Sequence, residues 1–197
     1  MQDTLVQLVL PDGLAQLFAD GEPNLPVCQW RGFCREPFLL HAKCFNGILR
    51  ELVVANDGSR IDRIAYYYAP PTLEQLEVYG FDVIGRFAPR LLPRSAIYVI
   101  IARARLTGTV EFRELPRNLQ ELNLFGNNLT GPLFLCMLPG NIRMLNFVSN
   151  EIHQDHLFYG DLPVALESVF IDRGSGTLKS LEKGELSKQR EAIFHRL

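Results

Sequence analysis

Apolar residues recur along most of this chain at fixed distances from a repeated proline. Pro70, Pro93, Pro116, Pro139 and Pro163 are spaced by 23, 23, 23 and 24 residues. Three positions after each stand Leu73, Ala96, Leu119, Ile142 and Leu166. Six positions after stand Leu76, Val99, Leu122, Leu145 and Val169, and eight after stand Val78, Ile101, Leu124, Phe147 and Ile171. Thirteen after come Val83, Leu106, Leu129 and Ile152, with Gly176 breaking the column. A late apolar set, Phe87, Val110, Leu133 and Leu157, closes each unit, and the extra residue of the longer step falls between Ile152 and His156. A weaker copy precedes the series, with Asn46 at the proline position and Leu49, Leu52 and Val54 in the apolar columns. Self-similarity at such a period marks a stacked repeat array, in which no single unit can bury its apolar face alone.

Within a unit, the alternation of the sixth and eighth positions with polar neighbours predicts a short strand, because successive side chains of a strand point to opposite faces. Leu122 and Leu124 therefore point inward, and Glu121 and Asn123 outward. Asn127 and Asn150 follow their strands at the corner, where an amide side chain can bond backbone groups that the turn leaves unpaired. Gly108 and Gly131 suit a tight turn, and the repeated proline starts the return toward the next strand.

LQELNLFGNNL (119–129) and IRMLNFVSNEI (142–152) carry the pattern L-x-x-L-x-L-x-x-N-x-L. Over about residues 46–178 the chain resembles the leucine-rich repeat family, in its 23–24-residue plant and protist form. CQWRGFC (28–34) resembles the C-x-W-x-G-V-x-C signature of that form's N-terminal cap, with Phe33 for Val and a loop one residue shorter. The resemblance implies an α/β leucine-rich repeat solenoid: a curved parallel β-sheet on the concave face, a mostly irregular convex side with short strands, and helical caps at the ends. Three regions follow. Residues 1–45 form an N-terminal cap, 46–178 about six repeats, and 179–197 a C-terminal capping helix or tail. Leu5, Leu8 and Val9, then Leu14, Leu17 and Phe18, have helical spacing on either side of Pro11. In secreted relatives the two cap cysteines are bonded, which implies a disulfide between Cys28 and Cys34. The other reading is two thiols in an intracellular cap, with Trp30 sealing the first coil.

The same register names the outward residues of the sheet. Such a face is the usual recognition surface of this architecture, and here its middle is unusually apolar. Tyr79, Tyr98, Ile100, Glu121, Asn123, Phe125, Met144, Asn146, Val148 and Phe170 are the expected protein-binding residues. Exposed apolar clusters mark protein contacts. Partial coverage of the sheet by the terminal segments is the alternative.

Composition narrows the function without naming it. The chain has 197 residues, 47% hydrophobic and 21% charged, with a net charge of −2. That field attracts neither nucleic acid nor an anionic membrane. No apolar run reaches the roughly 20 residues of a spanning helix, and the N-terminus lacks the basic start of a signal peptide. A cytoplasmic location is expected. No phosphate loop, G-x-S-x-G, H-E-x-x-H or dinucleotide fingerprint occurs, so no catalytic residue, metal or cofactor is assigned. His153, Asp155 and His156 read as solvated loop residues, and Cys136 as a small buried hydrophobe. The expected function is that of a non-catalytic protein-interaction module, an adaptor or subunit of a larger assembly. The alternative is a secreted or surface-displayed recognition protein of the same fold.

Overall fold

The computed structural model describes residues 33–35, 38–46, 48–56, 63–64, 66–83, 85–181 and 188–197. Among the described residues the regular secondary structure is almost entirely strand, joined by turns and irregular segments. In order the strands are β1 (Phe33–Arg35), β2 (Phe38–Phe45), β3 (Ile48–Asn56), β4 (Arg63–Ile64), β5 (Gln75–Tyr79), β6 (Asp82–Val83), β7 (Tyr98–Ala102) and β8 (Thr107–Gly108). There follow β9 (Glu121–Asn123), β10 (Asn128–Leu129), β11 (Phe134–Leu135), β12 (Met144–Asn146), β13 (His156–Tyr159), β14 (Ser168–Ile171), β15 (Thr177–Ser180) and β16 (Phe194–Arg196). One strand from each turn joins a nine-stranded sheet of order β1-β2-β3-β5-β7-β9-β12-β14-β16, parallel from β3 onward. The architecture is a parallel β-solenoid.

The register is the one read from the prolines. Leu52, Leu76, Val99, Leu122, Leu145 and Val169 are consecutive partners across the sheet. All six are buried, as are the other three apolar columns over residues 73–171. Each buried side chain of this size contributes roughly 1.5–3 kcal/mol, so these columns hold the stack together. The prolines have a common geometry. The amides of Leu73, Ala96, Leu119, Ile142 and Leu166 each donate to the carbonyl of the proline three residues earlier, at 3.0–3.1 Å. That turn brings the chain back into the sheet.

The corner asparagines are bonded on every side the backbone offers. The Asn127 Oδ1 accepts from the amides of Ala104 and Leu106, and its Nδ2 donates to the carbonyls of Ile101 and Leu124. One turn on, Asn150 accepts from Leu129 and donates to Leu124 and Phe147. Where the column lacks Asn, other groups act. The Val83 amide reaches the Ala104 carbonyl, and the Asp172 carboxylate accepts from the amides of Ser149 and Asn150. Side chains therefore complete the backbone of the turn that precedes them.

A second column lies ten residues after each proline, at the end of the sheet strand. Gly80, Arg103, Gly126 and Ser149 all have positive φ, between 50° and 72°. Gly126 is thus one member of a left-handed corner that every one of these four turns makes. Only glycine enters that region without steric cost, so Arg103 and Ser149 are strained by their backbone. At the next corner Gly131 has φ +80°, and a Cβ there would stand 2.6 Å from the Thr109 methyl.

The expected α/β class with helical caps is overturned. Among the described residues helix is limited to three-residue 3-10 turns at Tyr66–Tyr68, Pro89–Leu91 and Phe112–Glu114, and the four-residue α1 (Lys188–Glu191). The C-terminal segment, expected as a capping helix or a tail, is not helical at its end but forms β16, which pairs with β14 in parallel. An open β14 edge presents a row of amides and carbonyls, and the tail satisfies them only when extended. The Val169 amide donates to Ile193 and the Leu197 amide to Ile171. At the other end the described part of the expected cap is the antiparallel pair β1–β2, with β2 antiparallel to β3. The helical spacing before residue 33, Trp30 and the Cys28–Cys34 pairing lie outside the described residues and their side chains.

The return side changes along the stack. The first turns use 3-10 turns, whereas later ones add a three-stranded parallel sheet, β11-β13-β15. No helix among the described residues is long and apolar enough to cross a membrane.

Candidate interaction face

Outward side chains of the nine-stranded sheet stand in rows set by the strand register. One row runs Glu51, Gln75, Tyr98, Glu121, Met144 and Ser168. The next runs Val53, Glu77, Ile100, Asn123, Asn146, Phe170 and His195. Tyr98 stands highest, 40% exposed, at the middle of the first row. Ile100, Glu121, Asn123, Phe125 and Met144 around it are half-buried by their neighbours.

Hydrogen bonds divide these residues into working groups. The Glu77 carboxylate accepts from the Gln75 amide and from the Tyr79 hydroxyl, the latter at 2.9 Å. Burial, aided by that bond and by the Glu77 charge, pushes the Tyr79 phenol well above its usual range. Glu121, two strands away across β7, also titrates above the ordinary carboxylate range, first because it is partly desolvated and then because Glu77 is charged. The Asn123 Oδ1 accepts from the Phe125 amide at 3.1 Å, and the Asn146 Oδ1 from the Val148 amide at 3.0 Å. These two asparagines shape the strand ends with their oxygens. The Arg103 guanidinium lies 5.6 Å from the centre of the Phe125 ring.

Two expected face residues are less available. Val148 is only 8% exposed and belongs with the buried side chains. Phe170 is stacked on the His195 imidazole, with ring centres 4.7 Å apart and planes 22° from parallel. The His195 ring on the last strand therefore occupies one side of Phe170. Tyr79, Tyr98, Ile100, Glu121, Phe125 and Met144 remain together on the central strands of the face.

The register puts Glu77 on this face, but the expected binding residues leave it out, along with Arg103 and His195. They also leave out an aromatic row on the return sheet. Phe134 and Phe158 are register partners stacked at 5.3 Å, and the Lys179 ammonium stands 5.8 Å over the Phe158 ring. Phe134 and Met137 are exposed and border a cleft with Val110, Phe112 and Pro132. A signal existed: Phe134 and Phe158 recur one 24-residue step apart, but at positions the apolar columns do not use.

No chemistry-bearing constellation forms elsewhere among the described residues. His153 Nδ1 lies 2.9 Å from the Glu151 carbonyl and His156 Nδ1 2.9 Å from the Thr177 hydroxyl. No group of three His, Cys, Asp or Glu side chains among the described residues converges in a way that could hold a metal ion. In comparisons with known proteins, the chain matches no family and no curated sequence.

Proposed function

We propose that this chain is a non-catalytic protein-interaction module of the leucine-rich repeat kind, which takes its partner on the outward face of the nine-stranded sheet. Two features support the family reading. The L-x-x-L-x-L-x-x-N pattern coincides with strand and corner in the turns at 119–129 and 142–152, and the corner asparagines bond neighbouring turns. The observation that carries the function is the central row itself. Tyr98 projects from a sheet face that also carries Ile100, Phe125 and Met144. Rigid aromatic and apolar side chains on a solvent-facing surface give contact area at low entropic cost, which is how protein interfaces are anchored. In the cell the module would serve as an adaptor or as one subunit of an assembly.

The test is affinity capture with mass spectrometry, comparing the wild-type chain with Tyr98→Ala and Phe125→Ala, and with Phe134→Ala on the return sheet as control. Partners lost with the first two variants and kept with the third support the reading. The same captures from all the variants, with unchanged circular dichroism, move the interface off this face.

A further inference from the structure

The carboxylates near this sheet differ in one respect. Glu51 is paired with Lys43 at 2.7 Å, Glu74 with Arg50 at 2.9 Å and Glu167 with Arg143 at 2.8 Å. Asp172 is held by backbone amides. Glu77 and Glu121 have no Lys or Arg within ion-pair distance among the described residues. They flank β7 from either side, on β5 and β9, with Ile100 and Tyr98 between them. Neighbouring strands lie about 4.8 Å apart, and Glu77 pairs with Ile100 whereas Glu121 pairs with Tyr98, so the two carboxylates rise from backbones roughly 12 Å apart on a diagonal across β7. That gap leaves room for one long side chain laid over β7.

We propose that the partner presents a basic segment, with one lysine or arginine side chain lying across Ile100 and its cationic head between Glu77 and Glu121. The inference rests on the sheet face being the interface, and it names the chemistry that face selects. Ile100 offers an apolar bed for the methylene stem, as long basic side chains prefer. The exposed Tyr98 ring attracts a cation through its face. The Glu77 carboxylate is already oriented by Gln75 and Tyr79, so little order is lost when a cation arrives. Both carboxylates are half-buried, which makes each more responsive to an opposite charge than a fully solvated one. Acidic partners, nucleic acids included, are repelled by the same pair.

Selection of short random peptides displayed on phage against the full chain tests this. The expected outcome is enrichment of peptides carrying Lys or Arg, whose affinity falls as salt rises. Binding should weaken roughly tenfold or more in the Glu77→Gln/Glu121→Gln double variant, and equally when the basic residue becomes norleucine. Enriched peptides that ignore the double variant but are lost on Tyr98→Ala leave the face as the interface and overturn the basic partner. Peptides that bind wild type, the double variant and Tyr98→Ala alike overturn both readings, as does the absence of any enrichment.

Discussion

Asn127 and Asn150, one turn apart in the stack, donate to the same acceptor: both Nδ2 groups lie 2.9 Å from the Leu124 carbonyl oxygen. Asn127 is the more buried and also serves the Ala104 and Leu106 amides and the Ile101 carbonyl. Asn127→Ala strands several buried backbone groups at about 1–3 kcal/mol each. Urea unfolding should show a loss of at least about 3 kcal/mol, and a smaller loss for Asn150→Ala. Equal, negligible losses would show that water replaces the amide.

Leu122 is fully buried on β9, an interior strand of the sheet. Leu122→Ala removes a side chain that its neighbours cannot collapse to fill, at about 2–5 kcal/mol. A loss below about 1 kcal/mol by the same measurement contradicts the register of β9.

The left-handed corner column makes a paired prediction. Ser149 adopts φ +61° with its amide bonded to Asp172, a bond that glycine keeps. Ser149→Gly relieves backbone strain and should stabilise by up to about 1 kcal/mol after glycine's own entropy is subtracted. Gly126→Ala should do the reverse, losing about 1–2 kcal/mol, because its new Cβ would also press on the Arg103 side chain at 3.1 Å. Thermal melts of the two variants in one buffer check both signs.

Glu121 gives a pH signature. Its carboxyl titrates higher in the fold than in the unfolded chain, owing to burial and then to the charge on Glu77. The ionised form is therefore the costly one. That cost is fully present above the folded pKa and gone below the unfolded value of about 4.3. Glu121→Gln should raise the melting temperature at neutral pH, by less than about 1 kcal/mol of stability since water still screens the group. The gain should shrink to nothing as pH falls through that window. A gain independent of pH would assign the effect to packing.

The solenoid was legible from a single sequence because its signal is summed over many copies. One Leu-x-Leu is ambiguous, but Leu122 and Leu124 recur as Val99 and Ile101 and again as Leu145 and Phe147, and all are buried where the columns put them. The ends occur once and have no such averaging. Ile193 and Phe194 sit in a charged segment that resembles an amphipathic helix, yet the β14 edge decides their conformation, and that edge exists only after folding. The face was half legible for a related reason. Register shows which residues point out, but not that His195 lies on Phe170 or that no Lys or Arg among the described residues pairs with Glu77.

The backward reach of the corner side chains gives the stack a mechanical direction. Asn127 holds the turn before it, Asn150 does the same, and Asp172 holds the Ser149 corner. Pulling on the chain beyond Ile171 removes the groups that complete the preceding turn, which is then the weakest one left. Unravelling from that end should proceed turn by turn. Each event should free 23 or 24 residues of chain, which at about 3.4 Å apiece appears in a force–extension trace as a regular lengthening of roughly 80 Å.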